Sequence, residues 1–327
     1  MSPDGEVTAY QSLAETLDGD DHAEDRWAFG SGGAAAGTEV GAPPPDGVDV
    51  ADVATYCLML ADDALVASQR LAEWATNAPE LEEEVALANC ALDLLGQARV
   101  LLARAGHLGA AEPHRVGPHG GRDAQHPGEH AERGAGPEDE DVLAYFREER
   151  AFRNVTLAEI DLGDFGRTMA WLLVLSSWRL ALMTRLRASA DPVLAALAAR
   201  AVPELTYHRD YAAQWTLRLG DGTAESHRRM QAGLDAVWPH VEELFAVHPL
   251  EARLLEAGVA VDPTTVRDEV DGVLDAVLPR ALLARPGSPA VGLIAGRGGR
   301  HGIHTEALGP VLAQMQSLAR AHPGATW

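Results

Sequence analysis

The stretch Ala51–Gly106, ADVATYCLMLADDALVASQRLAEWATNAPELEEEVALANCALDLLGQARVLLARAG, reads as two long helices folded back on each other across Asn77-Ala78-Pro79. In the first, Tyr56, Met59, Leu60, Ala64, Ala67, Leu71 and Trp74 recur at helical spacing. The second is expected to begin near Pro79, with Glu80, Glu82, Glu83 and Glu84 complementing the helix dipole. It closes on Arg104-Ala105-Gly106, cation then glycine. Polar residues interrupt these apolar faces: Asp62 and Asp63 in the first helix, and Asn89, Asp93 and Gln97 in the second. The last three fall at i, i+4 and i+8, one stripe along one face. Buried polar groups need partners, and Arg70, Tyr207 and His208 are the candidates.

Working outward, the same helical periodicity continues and two-residue alternation is almost absent. EDEDVLAYFREERAFRNVTLAEI suits a solvent-facing amphipathic helix, and Asp164 caps FGRTMAWLLVLSSWRLALMTRLRAS, apolar on most sides and therefore central. Asp191-Pro192 opens a helix with a kink expected at Pro203. Asp262-Pro263 starts another to about Arg285, and a last helix is expected from Thr305 to Ala321. The fold class is all-α: an up-and-down four-helix core with additional C-terminal helices, occupying residues 50–327. Residues 1–49, rich in Gly, Ala, Asp and Pro, read as a disordered extension, and 107–137 as a flexible His-rich insertion.

Composition narrows the function. The chain has 327 residues, a formal charge of −23 and a pI near 4.8, which argues against nucleic-acid binding. All 26 basic residues are Arg, so lysine chemistry of any kind is excluded. Cys57 and Cys90 lie on apolar helix faces and read as reduced core thiols. No apolar run approaches a membrane span and the N-terminus lacks a signal-peptide pattern, so a soluble cytoplasmic protein is expected.

Inward-facing carboxylates on long helices are the raw material of a di-iron centre. Such a centre takes a carboxylate from each of two helices and an E-x-x-H pair from each of two others. None of the 13 histidines has Glu three residues before it. In Glu204-Leu205-Thr206-Tyr207-His208, Tyr207 stands at the imidazole position and His208 is rotated by about 100°. The second helix supplies no histidine within its length. The degenerate set is therefore Asp62, Asp63, Asp93, Glu204 and His208, with no catalytic, cofactor or metal residue assigned. An independently active dimetal enzyme using that noncanonical set is the alternative, and a stand-alone helical binding protein is a third reading. Ahead of the last helix, Arg297 and Arg300 form a candidate anion site or interface loop.

Three long segments carry a resemblance: YCLMLADDALVASQRLAEWATNAPELEEEVALANCALDLLGQAR, ELTYHRDYAAQWTLRLGDGTAESHRRMQAGLDAVWP and GGRHGIHTEALGPVLAQMQSLARAHPGATW. Across most of 50–327 the chain resembles the structural C subunits of the bacterial 1,2-phenylacetyl-CoA epoxidases, a ferritin-like family. That resemblance implies a metal-free paralogue beside a homologous catalytic A subunit, which holds the di-iron centre, with a small B subunit. It also implies a reductase carrying flavin and iron–sulfur groups, and ring epoxidation of phenylacetyl-CoA by the whole hetero-oligomer in aerobic phenylacetate catabolism. No cofactor in this chain is implied.

Overall fold

In the computed structural model, residues 40–110, 137–287 and 298–322 are described, and among them the architecture is all-α and ferritin-like. α1 spans Val50–Ala75, capped by Asp49, whose side chain accepts the Ala51 N–H at 2.9 Å. α2 spans Leu81–His107 with Glu82, Glu83 and Glu84 in its first turn. Its start is later than expected, because Glu80 takes the cap position and Pro79 stays in the connection.

The segment 137–160 is not the single amphipathic helix its composition suggests. α3 (Pro137–Tyr145) gives way to a 3₁₀ turn at Glu149–Ala151, extended backbone and a one-turn α4 at Thr156–Glu159. The cause lies on α1. The Asp62 and Asp63 carboxylates take the backbone N–H groups of Arg153 and Val155, each at 2.8 Å, which holds this strap extended. Far from facing solvent, the strap buries Phe152, Val155, Leu157 and Glu159.

α5 (Phe165–Leu186) starts at Asp164, which accepts the Arg167 N–H at 2.9 Å. α6 (Pro192–Gly220) starts at Asp191, whose one oxygen accepts from Val193 and Leu194. It runs continuously through Pro203. The other Asp191 oxygen meets Arg104 of α2 at 2.6 Å, both side chains fully buried. Arg104 also donates to the carbonyls of Val40 and Ala42. Residues 40–49, counted in the extension from composition, are thereby tied to the core; 1–39 lie outside the described residues, as do 111–136 of the His-rich insertion.

α7 (Ala224–Val237), α8 (Pro249–Glu256), α9 (Arg267–Arg280) and α10 (Leu308–Ala321) complete the fold. After Asp262 the chain first makes a 3₁₀ turn, Pro263–Val266, and α9 ends at Arg280, short of Arg285. α10 begins three residues after Thr305, whose N–H is given to the Glu159 carboxylate. Two hairpins, α1–α2 and α5–α6, enclose the core, and Cys57 and Cys90 are buried free thiols within it. Contrary to the expectation from apolar runs, α2 is long and apolar enough by length and composition to cross a membrane. Half of that apolar stretch is buried against the rest of the protein.

Candidate functional site

Asp62 and Asp63 are adjacent in α1, so their carboxylates diverge by about 100° and bind different partners. Asp62 receives Arg147 through both terminal nitrogens, with Nη1 at 2.9 Å, besides the Arg153 N–H. Asp63 receives Arg300 through Nη1 at 3.0 Å and Nη2 at 2.8 Å, and the Val155 N–H on the oxygen shared with Nη1. Both carboxylates are buried, and each meets a two-pronged guanidinium. Arg300 also donates to the carbonyls of Met59 and Arg153, so it locks the loop before α10 onto α1 and the strap. Of the two arginines in the candidate anion or interface loop, Arg300 turns its charge inward on Asp63, and Arg297 lies outside the described residues.

The other three candidates meet between α2 and α6. His208 Nε2 lies 3.0 Å from Asp93, and Gln97 donates to Glu204 at 3.0 Å. Burial works against charge on the His208 imidazole, but the Cys90 sulfur and Asp93 carboxylate outweigh it and hold its pKa up, at about 10. Burial raises the Glu204 carboxyl, the Gln97 hydrogen bond opposes this, and the nearby Asp93 charge adds to the rise. Of the partners proposed for this polar stripe, His208 serves as expected. Arg70 instead reaches the backbone carbonyls of Glu159 and Ala307.

Between the two groups stands a residue that sequence reasoning missed. Arg179 projects from α5, 1% exposed, and donates to Gln97 Oε1 at 2.9 Å and to the Leu60 carbonyl at 3.2 Å. It is close enough to Asp63, Glu204 and Arg300 to feel the charge of each. Burial pulls its pKa down to about 10, which leaves the guanidinium charged at neutral pH. Its Nη2 is buried without a hydrogen-bond partner among the described residues. The signal was present, since Arg179 is the one charged residue between Thr168 and Thr184 in an apolar helix. A second missed pair is His304 with Glu159, at 2.8 Å and fully buried.

Chemically, the centre is a set of neutralised carboxylates around a fixed cation. Three residues beyond Asp93 and Glu204 stand Gly96 and Tyr207, so neither carboxylate has an imidazole at the i+3 spacing of an E-x-x-H pair. An open cleft of about 560 Å³ lies elsewhere, near Trp74, Phe165 and Arg229, and none of these central residues lines it.

Fold and site together define a ferritin-like all-α protein whose bundle centre holds an arginine among the carboxylates. The chain belongs to the phenylacetic acid catabolic protein family, whose model matches residues 45–327. It is similar to the C subunit of the 1,2-phenylacetyl-CoA epoxidase of Escherichia coli (strain K12). The two are 41% identical over 272 residues, which is 83% of this chain and 98% of that protein.

Proposed function

We propose that the chain is the non-catalytic structural subunit of a multicomponent phenylacetyl-CoA epoxidase, working in the cytoplasm beside a homologous di-iron subunit in aerobic phenylacetate breakdown. The observation that carries this reading is the Arg179 guanidinium at the centre of the four long helices. Two metal ions do not fit these residues. The Asp62 and Asp63 oxygens are taken by Arg147, Arg300 and the strap backbone. A charged guanidinium in a poorly screened interior would also repel a dication strongly. In this reading the iron belongs to the catalytic partner, a small B subunit joins the core complex, and electrons come from a flavin and iron–sulfur reductase.

Metal analysis of the full-length chain, purified after expression in iron-rich medium, tests this. Iron well below one equivalent, and unchanged by Glu204→Ala or Asp93→Ala, is the expected result. Near-stoichiometric iron that either substitution removes would overturn the reading in favour of an independently active dimetal enzyme.

A further inference from the structure

α2 is more apolar than its packing within this chain uses. Leu87, Cys90, Leu94, Ala98 and Leu101 fill its buried arc, yet Leu81, Val85 and Leu92 stand 69%, 40% and 63% exposed. At i, i+4 and i+11 they lie within about 40° of one another on the helix, one outward stripe. The continuation of that stripe toward the C-terminal end shows what such a surface takes. There α3 lies along α2, joined through Arg99 and Glu140 at 2.8 Å. The N-terminal part has no such cover among the described residues.

Beside the stripe runs the seam with α6, whose facing side carries Tyr207 and Tyr211. Their half-buried rings stack at 6.0 Å between centroids. Tyr side chains half out of the core are characteristic of interface centres. Near this seam Glu83 Oε2 and Asn89 Nδ2 are shielded from solvent without a hydrogen-bond partner among the described residues. Buried polar atoms of this kind are uncommon in finished surfaces.

Charge selects the occupant. Glu80 and Glu82 are exposed at the start of α2, and the chain carries −23 overall. A second copy would bring the same acidic rim and the same net charge, and an anionic lipid surface would be repelled. Resting on the reading of the chain as a subunit, we propose that the N-terminal two-thirds of α2, with Tyr207 and Tyr211, is its docking face for a different subunit. That partner lays an apolar helix flanked by basic side chains along Leu81, Val85 and Leu92.

The experiment uses the full chain and the catalytic subunit of the same complex, with affinity read by sedimentation velocity. Leu81→Glu and Leu92→Glu should each weaken the complex by about 30-fold or more, the loss typical of a central interface residue. Leu318→Glu, on the exposed side of α10, should leave affinity unchanged. Because these side chains are exposed, the variants should melt within a few degrees of the parent, which separates lost docking from lost folding. If Leu81→Glu and Leu92→Glu bind as tightly as the parent, the docking face is wrong while the subunit reading stands. If the parent chain itself binds no catalytic subunit, the subunit reading falls and this inference with it. Self-association of the parent abolished by Leu92→Glu, or co-sedimentation with phosphatidylglycerol vesicles abolished by it, would overturn the choice of occupant.

Discussion

Arg179 and His208 sit on neighbouring helices, and burial opposes the charge on each. For His208 the balance makes a pH prediction. Its folded pKa is raised to about 10, against about 6.5 when unfolded. The stabilisation it brings is therefore complete below about 6.5 and is lost as pH rises through about 10. Urea unfolding of parent and His208→Gln should show the parent losing stability faster between pH 7 and 10. Parallel pH profiles would mean that the imidazole is not held charged by Asp93 and Cys90. Of this centre, sequence made Asp62, Asp63, Asp93, Glu204 and His208 legible, because a polar residue inside an apolar period stands out. What it could not give was their division. Adjacent Asp62 and Asp63 turn to the strap, while the other three meet across α2 and α6. Pairings across 85 or 237 positions leave no periodic trace in the chain.

At the scale of elements, the strap at 147–160 and the loop before α10 behave as one unit, stitched by Asp62, Asp63, Glu159 and Arg300. Gly299 makes the stitch possible. A Cβ there would collide with the Asn154 carbonyl oxygen, and its N–H donates to Glu243 at 2.8 Å. Three residues on, Gly302 has φ +72° and a Cβ there would strike the Arg150 carbonyl. Gly299→Ala should therefore cost about 2 kcal/mol or more. It should also raise amide hydrogen exchange across 150–160 while α6 stays protected. Uniform exchange across the whole chain would show that the loop and strap have no separate cooperativity. The long helices were legible from period and caps: Asp49, Asp164 and Asp191 each bind the N–H groups that cap logic assigns them. The strap was not. Its residues have helical composition, and the carboxylates that claim its backbone lie on another helix.

For the whole molecule, acids such as Glu80 and Glu82 are exposed among the described residues, whereas the central pairs Arg104–Asp191, Arg147–Asp62 and Arg300–Asp63 are buried. Salt acts on these populations differently. Raising NaCl from about 10 to about 300 mM screens surface repulsion and barely reaches the interior. The melting temperature should rise by about 2–5 °C. A fall would mean that exposed pairs such as Arg253–Asp52 and Arg267–Glu242 outweigh the repulsion. Arg179 has one more consequence at this scale. A metal centre becomes complete only when its ions are delivered, and it can be emptied by a chelator or changed by an oxidant. A guanidinium arrives with the polypeptide. The charge balance it gives the interior is set at translation, so it draws on no iron supply and has no redox states. Under the function proposed above, a cell short of iron could still stockpile this chain, folded and ready, ahead of a partner that must wait for the metal.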